Sequence, residues 1–218
     1  MKLNVGFDLK YAEGDIVSSE IKIPPPKIVT TDSLKKMLKD KNFGKEKKIY
    51  KIYQNVFFPG DDKLFRRYRL RFDIIIMQSG KLGHEFVKTE GHYIDRSEIY
   101  EVISGEGVFM LHKGGGFYPL VCDKGERAEI PKRGGVIVSN QSQATLIYCR
   151  LVPDKIEEDK SKFERNQGGA FFLLSRNKFV KNGRWKSRQR RATPKKSKET
   201  LYNEFVSHPE RFKYLREK

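Results

Sequence analysis

Residues Thr89–Leu111 read TEGHYIDRSEIYEVISGEGVFML. Gly91, Gly105 and Gly107 punctuate short runs of strand-forming residues, Ile99, Val102 and Ile103, then Val108, Phe109 and Met110. These pieces are too short for helices, so the pattern predicts strand, turn, strand, turn, strand. His92 and Glu98 then fall on neighbouring strands of a small barrel. An imidazole and a carboxylate so placed are usual ligands for Fe, Mn, Ni or Zn.

Strand signals continue on both sides. VFMLHKGGGFYPLV predicts a hairpin turning at Gly114–Gly116, and no helix follows it to make those glycines a phosphate loop. DKGERAEIPKRGGVIVSN predicts a further turn and strand, and TLIYCRLVP a last barrel strand ending at Pro153. His84 and His112 are isolated and read as surface or strand histidines. Upstream, Tyr68, Leu70, Phe72, Ile74 and Ile76 alternate with Arg67, Arg69, Arg71 and Asp73. Period two predicts one strand with its apolar face on the barrel core and, beside Arg66, an outward strip of guanidinium groups roughly 7 Å apart. Such forks match phosphate oxygens, although a solvated charged strand is the alternative.

The spacing His92, Glu98, Gly105 resembles the first motif of the cupin barrels, HxH(x)3–4E(x)6G, with Ile94 at the second histidine. Gly125, Pro131 and Asn140 match the second motif, in which Val136 stands at the histidine and Arg133 at the middle glycine. Within the cupins, SGKLGHEFVKTEGHY followed by EIYEVISGEG is most similar to the archaeal-type glucose-6-phosphate isomerases, over roughly residues 5–185. The resemblance implies an all-β, cupin-type antiparallel barrel (jelly roll). It also implies sugar-facing Tyr53 and Tyr100, a phosphate-binding turn at Thr89 and Gly91, and Glu98 as the group that shuttles a proton between C1 and C2. Ile74 and Ile75 stand where the family has threonine near the phosphate. The family's metal would find only His92 and Glu98, because Ile94 and Val136 have no lone pair to donate. The expectation is no cofactor, or a divalent metal held weakly.

The flanks differ in character. Residues 1–48 predict an extended arm with Pro24–Pro26, a short helix over 32–39 capped by Asp32 or Ser33, and a basic loop over 41–48. Residues 49–185 form the expected barrel, with a polar linker or lid over 154–167 and a short strand pair after it. Residues 186–218 predict a basic tail and a terminal helix capped by Thr200 and broken at Pro209.

The charge is large: 45 Lys and Arg against 28 Asp and Glu, +17 net, with a pI near 9.8. That balance predicts a polyanionic partner, while 12% aromatic content suffices for a core. From Arg176 to Lys198 there are eleven basic residues and no acid. Arg184, Lys186, Arg188, Arg190, Arg191, Lys195, Lys196 and Lys198 predict a phosphate-binding tail, with Trp185 as a stacking face. Cys122 and Cys149 lack metal or redox spacing and suit reduced thiols in a cytoplasmic protein. No signal peptide or membrane span is expected from the apolar runs.

The first expectation is therefore a non-catalytic, degenerate cupin that binds RNA within a ribonucleoprotein such as the ribosome, through rRNA. A homodimer through the barrel is expected if the protein is free. The alternative is a sugar-phosphate isomerase with an altered or absent metal site. A sugar sensor with a DNA-binding tail ranks last, since no helix-turn-helix pattern is present.

Overall fold

The computed structural model describes residues 1–40 and 46–217; the basic loop expected over 41–48 lies partly outside them. In chain order the strands are β1 (Lys2–Asn4), β2 (Asp8–Ala12), β3 (Asp15–Val17), β4 (Lys27–Thr30), β5 (Lys48–Tyr53) and β6 (Leu70–Met77). Next come β7 (Lys81–Leu82), β8 (Glu85–Phe86), β9 (His92–Tyr93), β10 (Glu98–Ser104), β11 (Gly107–Lys113), β12 (Gly116–Cys122) and β13 (Glu126–Ile130). The last are β14 (Gly135–Ser139), β15 (Leu146–Pro153), β16 (Phe171–Ser175), β17 (Lys178–Lys181), β18 (Arg188–Gln189) and β19 (Lys195–Lys196). Helices are short: α1 (Thr31–Leu34), α2 (Asp62–Tyr68), α3 (Ser161–Arg165) and α4 (Leu201–Ser207), with 3-10 turns at Lys35–Met37 and Pro209–Arg216.

Two sheets build the barrel. One has the order β19-β13-β10-β15-β6-β5-β4 and the other β18-β12-β11-β14-β9. Apart from β18, which runs parallel to β12, every pairing in them is antiparallel. Their facing sides meet in one buried cluster, where Ile75, Tyr100, Val102 and Tyr148 of the larger sheet oppose Phe109, Leu111, Val136 and Val138 of the smaller. This is the expected cupin-type jelly roll. The β10–β11 turn depends on Gly105, at φ +86°, where a Cβ would lie 3.0 Å from the Thr145 carbonyl oxygen. Asn140 ties neighbouring loops by donating to the Gln78 and Ala144 carbonyls at 3.1 and 2.8 Å.

The outer face of the larger sheet is also covered. Phe72, Ile74, Ile76, Cys149 and Leu151 pack there against Leu3 and Leu9 of the N-terminal meander, Phe65 of α2, and Tyr202, Phe205, Phe212 and Leu215 near the C-terminus. Each terminal segment thus shares a core with the barrel. The three-part division at 48/49 and 185/186 does not mark separate structural units. Leu34, Met37 and Leu38 are each buried, Leu34 and Leu38 in the barrel interior and Met37 in a separate cluster with Phe163, and Thr30 occupies the N-cap of α1 with no side-chain cap.

Three expectations about charge are corrected. Arg66 and Arg67 lie on α2, Arg69 is its left-handed C-cap at φ +51°, and the strand begins only at Leu70. Leu64, Phe65 and Tyr68 recur at helical spacing and pack on the outer cluster, which outweighs the alternation read across them. The phase of β6 is also opposite to expectation. Phe72, Ile74 and Ile76 face outward under the helices, whereas Asp73 is fully buried and bonded to Arg71 and Arg150 at 3.0 and 2.9 Å. No outward arginine strip exists on this strand.

The basic tail is also ordered. Arg190 donates its backbone N–H to the Phe117 carbonyl at 2.8 Å, β19 pairs with β13, and Lys195 and Lys196 meet Glu129 and Glu126 at 2.5 and 3.4 Å. Arg184, Lys186, Arg188, Arg190, Arg191 and Lys198 remain exposed. Trp185 is half-buried against His112 and Phe163, and its Nε1 donates to the Gly168 carbonyl at 3.0 Å. Its ring serves the core, not a free stacking surface. His112 is buried as well. It bonds the Met110 carbonyl and the Ala170 N–H, and burial pushes its pKa down to about 3.

Candidate active site

Cross-strand register explains how the site is assembled. Tyr100 on β10 lies opposite Arg150 on β15, and Arg150 lies opposite Asp73 on β6. Glu98 stands two residues from Tyr100, so both project to the barrel interior. His92 on β9 lies opposite Val136 on β14. Gly91 admits the chain into β9 at φ +74°; a Cβ there would meet Ile137 Cγ1 at 2.4 Å and the Phe163 ring at 3.0 Å.

These registers bring four polar groups together. His92 Nε2 lies 2.9 and 3.1 Å from the two Glu98 carboxylate oxygens, and the Tyr100 hydroxyl donates to Glu98 Oε2 at 2.7 Å. Arg150 Nη1 lies 3.7 Å from the same oxygen and 3.0 Å from Glu158 Oε1, while its Nε donates to Asp73. Burial alone would raise the Glu98 pKa; His92, Arg150 and Tyr100 outweigh it and hold the carboxyl below its usual range. Burial likewise opposes the Glu158 charge, yet Arg150 and His92 bring that group down to about 2. Burial and the Glu98 charge push the Tyr100 hydroxyl well above its ordinary value. The cluster therefore holds a carboxylate, an imidazole, a protonated phenol and a fixed guanidinium.

His92, Tyr100, Arg150 and Glu158 line a narrow, open-mouthed pocket with about 40 Å³ of internal room. Thr89, Gly91, Val136, Tyr50 and Tyr148 complete much of its wall, and Lys27, Glu90 and Lys160 line it as well. Lys160 pairs with Glu90 at 2.7 Å, and Asp159 bridges by backbone to Tyr93, so the 154–167 segment closes over the barrel as a lid would. Glu98 is fully buried behind its two donors, His92 and Tyr100, and the neighbouring Arg150.

Most residues expected here are found here: Thr89, Gly91, His92 and Tyr100 line the cavity, with Glu98 directly behind. Tyr53 does not. Its hydroxyl donates to Asp15 at 2.5 Å in the outer cluster, and Tyr50, three residues earlier, faces the cavity instead. Thr89 Oγ1 accepts from the Val138 N–H at 3.0 Å, which orients the turn. Sequence reasoning passed over Arg150, Asp73 and Glu158. A guanidinium within the otherwise apolar TLIYCRLVP was the available signal, since such a charge is rarely buried unpaired.

A metal, as the cupin resemblance implies, does not fit this donor set. Val136 lies beside His92 with no lone pair, and Ile94 is buried without lining the cavity. His92 Nε2 is committed to Glu98, and the Arg150 charge stands nearby. Among the described residues no three His, Cys, Asp or Glu side chains converge as a metal site.

The strand order and the buried carboxylate–imidazole pair define a cupin-type barrel with a polar site. The family model described as "Glucose-6-phosphate isomerase (GPI)" matches residues 27–193, about three quarters of the chain, and the chain belongs to that family. Glucose-6-phosphate isomerase of Pyrococcus abyssi is 28% identical over 134 residues, covering 54% of this chain and 66% of the relative. That of Thermococcus litoralis is 30% identical over 88 residues, 38% and 46% of the two chains. The matches thus span less than two thirds of these relatives. Among solved structures, vicilin from Capsicum annuum superposes with a TM-score of 0.41 at 17% identity, over 50% of this chain and 30% of that one. An oxalate decarboxylase of Lactobacillus farciminis gives 0.40 at 17% identity, with shares of 50% and 30%. The family match favours the isomerase-like reading over the RNA-binding one.

Proposed function

We propose that the barrel binds a phosphorylated sugar and interconverts its aldose and ketose forms without a metal. The observation that carries this is the His92–Glu98–Tyr100–Arg150 cluster at the wall of an open-mouthed pocket. Glu98, expected to be the base, is hydrogen-bonded by His92 and Tyr100, so it serves better as the partner that orients His92 by accepting from its Nε2–H. His92 lines the cavity, and its Nδ1 has no hydrogen-bond partner among the described residues. That nitrogen takes the proton from C2 of the open-chain aldose and returns it to C1, while the hydroxyl proton moves from O2 to O1. Arg150 answers the negative charge of the enediolate, the role a Lewis acid would otherwise fill. Lys27 and Lys160 suit the phosphate end of the ligand. The name of the family and of the archaeal relatives supports glucose 6-phosphate and fructose 6-phosphate as the first pair to try.

Two buried free thiols, Cys122 and Cys149, support a cytoplasmic setting. Among the described residues no helix is long and apolar enough to cross a membrane.

The test uses protein dialysed against EDTA and incubated with either hexose phosphate in deuterated water. Deuterium entering C1 or C2, read by NMR, reports proton abstraction directly. Exchange should fall about 10²–10⁴-fold in His92→Gln. Absence of exchange with both sugars, or full exchange in His92→Gln, overturns the proposal.

A further inference from the structure

A second basic site lies outside the barrel, on ground the isomerase reading does not use. The C-terminal 3-10 helix docks through Phe212 and Leu215, and a broad groove opens along its edge. Five cations from separate stretches of chain meet there: Arg69, Arg96, Lys155, Lys213 and Arg216. Asp154 and Glu217 are the acids among the described lining residues, so the wall carries a surplus of three positive charges. Arg69, Lys155, Lys213 and Arg216 form no ion pair among the described residues, and Arg96 has only a loose one, 3.7 Å from Asp95.

The groove is built, not a chance scatter of surface lysines. Arg96 Nη1 donates to the Arg216 carbonyl at the helix end, and the Arg216 guanidinium sits 5.5 Å from the centre of the Tyr68 ring. Asp154 donates its N–H to the Arg69 carbonyl at 3.0 Å, which fixes the left-handed corner that presents Arg69. The Nε atoms of Arg96 and Arg216 are buried without a hydrogen-bond partner among the described residues. The fold therefore orients two guanidinium groups and leaves their charge incompletely answered. Oriented guanidinium forks match phosphate oxygens, and five cations lining one groove exceed what one phosphate needs.

We infer that this groove holds a run of successive phosphates, as the backbone of a single-stranded nucleic acid presents. The assignment moves the polyanion surface away from β6 and Trp185 to a groove assembled by the docked C-terminus.

Binding of the full chain to a fluorescein-labelled U15 oligoribonucleotide, read by anisotropy, tests it. Five phosphate contacts give a slope of log K on log[salt] of about −3.5, an affinity loss of about 100-fold between 50 and 200 mM salt. Lys155→Gln, Lys213→Gln and Arg216→Gln together leave two contacts, a slope of about −1.4 and a loss of about 7-fold. Lys155→Arg with Lys213→Arg keeps the charge and should keep the steep slope. Arg188→Gln, Arg190→Gln and Arg191→Gln on the exposed strap should leave the slope unchanged. Inorganic polyphosphate should displace the oligonucleotide, and poly-glutamate of equal length should not. The inference is overturned by no binding at 50 mM salt, by equal flattening in the strap variant, by flattening in the arginine variant, or by equal displacement by poly-glutamate.

Discussion

Arg150→Gln tests the central claim about the site, that one buried guanidinium, bonded to Asp73, also holds Glu98 and Glu158 in their charged form. Arg150 is 5% exposed and contacts Asp73 at 2.9 Å, Glu158 at 3.0 Å and Glu98 at 3.7 Å. Removing one partner of a buried ion pair costs about 3–5 kcal/mol, because the other charge stays buried. Here Asp73 keeps Arg71 at 3.0 Å, and Glu98 keeps His92 and Tyr100, so the lower end, about 3 kcal/mol, is expected. For a chain of this size that is a fall in Tm of about 6–12 °C. The pH dependence has a definite sign. Glu98 and Glu158 have depressed pKa values in the folded protein, so their stabilisation is present above the unfolded value near 4.5 and is lost as pH falls towards about 2. Without Arg150 that depression shrinks. The gap between wild type and variant is therefore largest at neutral pH and narrows on acidification. Urea unfolding at pH 7 and pH 3.5 measures it. A gap below about 1 kcal/mol at pH 7, or one as wide at pH 3.5, refutes the reasoning.

Gly91→Ala should destabilise by about 1–3 kcal/mol and weaken sugar-phosphate binding, measured by chemical unfolding and calorimetry, because its Cβ would strike Ile137 at a left-handed position. Glu158→Gln should cost about 1–2 kcal/mol at pH 7, discounted for a side chain 29% exposed, and nothing below about pH 2; unfolding across pH checks it. Val136→His alone should raise Zn²⁺ affinity little, since Arg150 still opposes the ion. Combined with Arg150→Gln it should give clear binding by titration calorimetry, because the new imidazole faces His92 across the β9–β14 pair.

What the sequence made legible follows from where burial is one-sided. The β10–β11 hairpin, its Gly105 turn and the juxtaposition of His92 with Glu98 were readable because a motif spacing and a turn residue agree there. The β6 phase was not. Both faces of the larger sheet are buried, so Ile74, Ile75 and Ile76 carry no alternation that says which side faces the cavity. Tyr53 was placed at the sugar by the resemblance alone, and β5 presents Tyr50 there instead. Arg67 and Arg69 alternated with Tyr68 and Leu70 by coincidence in a segment that coils as α2 and its cap. The C-terminal segment after the basic run is held by packing on the barrel. Its apolar residues Leu201, Phe205, Phe212 and Leu215 complete a core whose other half is the outer face of the barrel.

The replaced ligands and the buried arginine belong to one electrostatic problem. A carboxylate as deeply buried as Glu98 stays ionised only beside positive charge or strong donors. In a metal-binding cupin the ion can supply that charge. Here Val136 and Ile94 remove donor positions, yet Glu98, Asp73 and Glu158 all remain as carboxylates around one point. Had the site simply decayed, an uncompensated Glu98 would be among the costliest residues to retain. Instead Arg150 stands across from Tyr100 in register, bound to all three acids, with Asp73 fixed by a second arginine behind it. That arrangement restores the charge balance with side chains alone and keeps the imidazole and phenol on the cavity wall. Selection for a mere scaffold would be met as well by apolar residues in these positions. A polar cluster this fully paired instead holds His92 and Tyr100 in fixed positions on the pocket wall.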